Sequence, residues 1–341
     1  RRIMTTFDYT AYYQRVQDLK KLQIPAGAVR WTEHYEQPER SYAIVLYLGC
    51  NILRTPDVAA DVVAVFEALG LDFIAVAGVQ FCCGITWDRF GDVAKGQNVS
   101  ANTIARLASY NPRLVVHWCP SCDVHFSDVV TGRDANTLPF AVTNAPAFLS
   151  DLSKRGLLPW RNLTSGRMVL HSHTGREGHD TGQRRARADR ENVSQLLQQL
   201  PSAQFLGAVD SPPEYDYDCG PRSLRERSRW LEIRAELLTQ TRRLGADTLV
   251  TVSHACQREW CDAGDDTLIV RNYISLIAES LGCARTYETN TLGQLKRLED
   301  PQTIIERTQS NWSSHGLSEE QAAQIARRYD WSLSAPRSGA P

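Results

Sequence analysis

The sequence predicts an α/β protein of two pseudo-duplicated halves, with mostly parallel strands and flanking helices. Three observations carry that reading. From Ser41 onward, short β-branched apolar runs alternate with helical stretches, the rhythm of strand–helix–strand units. After the Pro, Gly and Arg stretch KRGLLPWRNLTSGR the rhythm starts again, and TLIVRNYISLIAESLG parallels PFAVTNAPAFLSDL closely, as an internal repeat would. Cysteines fall where the apolar runs end, and the carboxyl ends of strands are where open parallel sheets build their sites.

Taken in order, residues 1–40 are an aromatic-rich extension, with FDYTAYYQRVQDLKKL helical and IPAGAVRWTEHYEQPERS a loop. YAIVLYLGC is a buried strand ending at Cys50, and DVAADVVAVFEALG is an amphipathic helix. DFIAVAGVQFCCG is a strand running into paired cysteines, VSANTIARLASY a helix, and LVVHWCPSC a strand ending in cysteines. LPFAVTNAPAFLSDL, strand then helix, closes a first domain at 41–152. The second, 165–290, begins with the strand RMVLHSHTGR and the helix ENVSQLLQQL. QFLGAVDSPPEYDYDCG, the long helix SRWLEIRAELLTQTRRLG and the strand DTLVTVSHACQREW follow. Residues 291–341 are a helical tail. LSEEQAAQIARRYDWS opens on a capping box, Ser318 with Gln321, and reads as a surface helix; SAPRSGAP reads as disordered.

The 341 residues carry a net charge of -1, which gives no footprint for nucleic acid or an anionic membrane. The basic run RRARADR, Arg184 to Arg190, reads as a solvated helix face. No apolar stretch is long enough to span a bilayer, and no apolar core follows the N-terminal arginines as a signal peptide requires. The expected location is cytoplasmic. Nine cysteines in a reducing compartment point to metal ligation or redox chemistry rather than structural disulfides.

The first half supplies Cys50, Cys82, Cys83, Cys119 and Cys122, spaced C-x31-CC-x35-C-x2-C. All five fall at strand ends and none on a helix in this reading. Five thiolates at one place repel, and a multinuclear cationic centre removes that penalty. One zinc would take four of them and leave one spare, and an ordinary iron–sulfur cluster also uses four. Five point to something larger or irregular, with one thiolate bridging two irons. Trp87 is placed to cover such a centre or to pack. His117 and His125 flank CPSC and read as ordinary histidines or as hydrogen-bonding neighbours of the ligands. Cys261 and Cys283 read as plain thiols. No dinucleotide fingerprint and no P-loop occurs.

Cys50, CCG at 82–84 and CPSC at 119–122 resemble the cysteine-rich CCG domain of the heterodisulfide reductase catalytic subunit, over about residues 41–290. The domain also occurs in glycolate oxidase and lactate-utilisation iron–sulfur subunits. The resemblance implies that all five cysteines hold one non-cubane [4Fe-4S] cluster. The second half departs from the pattern. SHTGR puts Ser172 where the family's first cysteine belongs, DCG puts Asp218 before Cys219, and SHAC puts Ser253 where a cysteine precedes Cys256. A second identical cluster is not expected. The degenerate site, with His173, Arg176, Asp218, Cys219, His254 and Cys256, then shapes a pocket or shuttles protons, forms a redox pair through Cys219 and Cys256, binds zinc, or is a structural remnant.

The resemblance implies thiol or disulfide redox chemistry within a complex. A non-catalytic electron relay or scaffold, and a structural zinc protein, are the alternatives. No ferredoxin-type cysteine run is present, so a separate ferredoxin-like or flavin protein is expected to deliver electrons. The aromatic lead-in and the C-terminal helix are the additions placed to dock it.

Overall fold

The computed structural model describes residues 7–130, 138–161, 164–171, 180–210, 227–298 and 300–329. Two four-stranded parallel sheets form its frame. The first comprises β1 Ile44–Gly49, β2 Phe73–Ala77, β3 Leu114–His117 and β4 Ala141–Asn144, in the order β2-β1-β3-β4. The second comprises β5 Ser165–His171, β6 Ser202–Val209, β7 Thr248–Thr251 and β8 Ile269–Asn272, in the order β6-β5-β7-β8. The permutation is the same in both, so the repeat read in the sequence is a repeat of topology. Parallel strands covered on both faces read as unbroken apolar runs, and β1 is buried at all but its first residue.

Matching details recur in the halves. The Asn144 side chain caps helix Ala145–Lys154 by accepting from Ala147 N, and Asn272 caps Tyr273–Ser280 by accepting from Ile274 N. His117 in β3 bonds Asp123 at 3.0 Å, while Thr251 in β7 donates to Gln257 at 2.7 Å. The pair lies six residues apart each time, ionisable in the first half and neutral in the second.

Helix Pro56–Ala68 corrects the amphipathic reading, being buried from Pro56 through Phe66. Its polar stripe faces the second half rather than water. Asp61 Oδ1 receives Arg285 Nε at 2.7 Å and the Tyr287 hydroxyl at 2.8 Å, and Asp57 Oδ2 receives Asn290 N at 2.7 Å. Charges can be buried only with such partners. The main core accordingly runs through both halves, from Leu46 and Val116 to Leu170, Val250 and Ile277.

The two ends of the chain form a further layer. Leu19 and Leu22 of helix Tyr9–Gln23 pack with Leu295, Ile304, Trp312 and Ala326. The C-terminal helix Glu319–Arg328 carries its capping box as read. It is a surface helix on one side only, because Ala322, Ala323, Ile325 and Ala326 are buried. The apolar sides of these two terminal additions thus pack on one another. The tail SAPRSGAP lies outside the described residues. Among the described residues no helix is long and apolar enough to cross a membrane.

Candidate metal centre

Three connections at the carboxyl edge of the first sheet bring the cysteines together. β1 ends at Gly49, and Cys50 turns into a short helical segment, Asn51–Arg54. After β2, Gly78 at φ 89° starts the turn Val79–Phe81, which presents Cys82 and Cys83. Gly84 at φ 90° ends that turn, and a Cβ there would lie 2.4 Å from the Gly96 carbonyl oxygen. Only glycine fits such a left-handed, crowded position. After β3, Cys119 precedes helix Pro120–Val124, which has Pro120 in its first turn. The expectation that no cysteine sits on a helix is therefore corrected at Cys122. Proline at the first helical position has its φ already set and needs no amide partner, so CPSC nucleates a helix.

The five thiols are free and buried, none more than 6% exposed. Their sulfurs form one continuous network. Cys50 Sγ lies 3.9 Å from Cys82 Sγ; Cys82 contacts Cys83, Cys83 contacts Cys122, and Cys122 contacts Cys119. The bond from Cys50 holds Cys82 well below the usual thiol range, and the bond from Cys122 does the same for Cys119, helped by His254. Cys50 is pushed up first by its bond with Cys82 and then by burial, and Cys122 by its bonds with Cys119 and Cys83 and then by burial. Cys83 is pushed up as well, its bond with Cys122 being outweighed by Cys82 and by burial, so the thiolate form is favoured at Cys82 and Cys119 alone, and a cationic centre would favour it at all five. Among the described residues no three Cys, His, Asp or Glu side chains are set to share one metal ion.

Neighbouring polar groups fix the backbone that carries the thiols. Thr103 Oγ1 donates to the Cys82 carbonyl at 2.6 Å, Ser100 Oγ to the Cys83 carbonyl at 2.7 Å, and the Tyr47 hydroxyl to the Phe81 carbonyl at 2.5 Å. His125 Nε2 lies 3.0 Å from Ser100 Oγ. His117 is fully buried and bonds Asp123, whose other oxygen lies 3.2 Å from Arg185 Nη1. That ion pair corrects the solvated reading of the basic run. Arg185 reaches the CPSC helix, and Ala186 and Asp189 are buried. Trp87 stacks on Tyr9 with centroids 3.4 Å apart, under Lys95.

Of the degenerate-site residues, Ser172, His173, Arg176, Asp218 and Cys219 lie outside the described residues. Ser253 caps helix His254–Trp260, accepting from Cys256 N at 3.2 Å. Cys256 lies inside that helix, buried, with its sulfur already engaged. His254 is 4% exposed and bonds Cys119, so the second half reaches directly into the thiol network of the first. Cys261 is buried, which pushes its thiol up to about 12, and Cys283 is half-buried with its sulfur toward the Ala64 carbonyl; both stand apart from the network. The sequence reading missed Tyr13, whose hydroxyl lies 3.2 Å from Cys82 Sγ. The signal was the aromatic stripe Tyr9, Tyr12, Tyr13, at the i, i+3, i+4 spacing of one helix face.

Residues 44–127, which hold all five of these cysteines, match the family model described as CCG, Cysteine-rich domain. Among known proteins, the chain is similar to one component of the dihydromethanophenazine:CoB--CoM heterodisulfide reductase of Methanosarcina acetivorans, 24% identical over 254 residues. The match covers 70% of this chain and 59% of that relative, so the chain spans less than two thirds of the relative's length. Among solved structures, an aspartate racemase homologue from Pyrococcus horikoshii aligns at 10% identity with a TM-score of 0.32, covering 70% of this chain and 97% of that one.

Proposed function

We propose that the protein is an iron–sulfur redox subunit of a heterodisulfide-reductase-like complex, working on thiol or disulfide sulfur at one non-cubane [4Fe-4S] cluster. One observation carries this: five buried, free thiols in a single sulfur network, within a stretch that matches the CCG model. Cys50, Cys82, Cys83, Cys119 and Cys122 would hold the cluster. When bound, it supplies electrons and iron that can take a sulfur ligand. The chain's own residues keep the site dry and hold the Phe81, Cys82 and Cys83 carbonyls through Tyr47, Thr103 and Ser100. His254 closes the site from the second half.

The division into 41–152 and 165–290, flanked by 1–40 and 291–341, belongs to the same reading. So do a ferredoxin-like or flavin partner, a cytoplasmic location, and a degenerate second site that shapes a pocket, with zinc or nothing bound. The burial of all five thiols favours a second reading, in which the cluster only relays electrons.

Anaerobic purification with iron, zinc and sulfide analysis tests the proposal. Iron and inorganic sulfide in equal amounts are expected; zinc without iron overturns it. An EPR signal of the oxidised protein that changes on adding a thiol supports sulfur chemistry, and an unresponsive signal supports relay.

A further inference from the structure

We propose that helix Tyr9–Gln23 completes the cluster site, with Tyr13 donating a hydrogen bond to the Cys82 sulfur and thereby raising the cluster's reduction potential. The inference rests on the iron–sulfur reading above. Tyr13 lies outside the 44–127 match and is 8% exposed, with its hydroxyl 3.2 Å from Cys82 Sγ. A ligating cysteine is a thiolate and has no proton to give, so the phenol is the donor. Reduction adds negative charge, part of it on the ligand sulfurs. A donor at sulfur therefore stabilises the reduced state more than the oxidised one.

The helix is held over the site at two places. The Tyr12 hydroxyl accepts from Asn51 Nδ2 at 2.8 Å, beside Cys50. Tyr9 stacks on Trp87 at 3.4 Å and Phe7 on Phe90 at 3.7 Å, just beyond the CCG turn. These contacts fix the height and rotation of the helix, and with them the Tyr13 hydroxyl. Tyr13 acts through a ligand and is a positioning residue.

The test compares Tyr13→Phe with Tyr12→Phe in the whole chain. Each removes one buried hydroxyl and keeps its ring, but only Tyr13 touches sulfur. Iron and sulfide are measured first: a wild-type protein without them overturns the cluster reading itself. With clusters present, an EPR-monitored redox titration is expected to give a more negative midpoint for Tyr13→Phe and a clearly smaller shift for Tyr12→Phe, which loosens the helix without removing the donor at sulfur. A Tyr13→Phe protein that folds but loses its iron also places Tyr13 in the site. Wild-type potential and iron content in Tyr13→Phe, or equal shifts in both variants, overturn the inference. Should Tyr13→Phe not fold, resonance Raman of the wild-type protein shows whether exchangeable donors reach the ligand sulfurs at all, as the Tyr13 bond requires. Iron–cysteine stretches that move in D2O are expected, and stretches that do not move overturn it.

Discussion

Replacing Gly49 by alanine tests whether the carboxyl end of β1 is shaped for the thiol network. Gly49 has φ +79°, and a Cβ there would lie 3.1 Å from Cys119 Cβ and 3.2 Å from Cys122 Sγ. Two costs follow. The left-handed backbone adds about 1–2 kcal/mol for any residue with a Cβ. The contacts are a few tenths of an ångström inside the ordinary range, and helix Pro120–Val124 must shift to relieve them, at about 1–3 kcal/mol. Gly70 is the control, since it has φ +62° and nothing within 4 Å of its Cβ position, and so bears the first cost alone. Urea unfolding of both variants gives the stability loss, and iron and sulfide per chain after anaerobic reconstitution give site integrity. Gly70→Ala should lose about 1–2 kcal/mol with wild-type iron, and Gly49→Ala about twice that with iron reduced. A Gly49→Ala protein with wild-type iron and the stability of Gly70→Ala would refute the reasoning.

Two further outcomes concern the contact between the halves. Burial pushes the Asp57 carboxyl up to about 6, above its unfolded value of about 3.9. The folded protein therefore holds a proton that the unfolded chain has released, and stability falls as pH rises from about 4 through 6, by about 3 kcal/mol in all. Asp57→Asn keeps an acceptor for Asn290 N. It should be more stable than wild type at pH 8 and nearly equal at pH 4 in urea unfolding; equal gains at both would remove the carboxyl as cause. Arg285→Ala leaves the carboxylate of Asp61, which is fully buried, without its cation and should cost about 3–5 kcal/mol. Replacing both by apolar residues should recover much of that, and a double variant no better than the single one would show that packing, not charge, was lost.

The sequence by itself determined the alternation of strands and helices, the repeat, and the five thiols at one sheet edge. Each of these is written in short-range periodicity or spacing. The strand run before Cys50, the parallel between TLIVRNYISLIAESLG and PFAVTNAPAFLSDL and the capping box at Ser318 all depend on neighbours within a few residues. Even locally the reading failed at Cys122, because LVVHWCPSC was read as a strand running to its last cysteine, whereas the strand ends at His117 and Pro120 starts a helix. Only the tertiary structure decided the rest. It buried the polar stripe of Pro56–Ala68 against Arg285 and Tyr287, turned Arg185 from solvent to Asp123, set His254 on Cys119, and laid Tyr13 on Cys82. Periodicity reports which side of an element is apolar, but not which distant surface fills that side. Partners as far apart in sequence as Asp61 and Tyr287 meet only when the halves and the chain ends pack together.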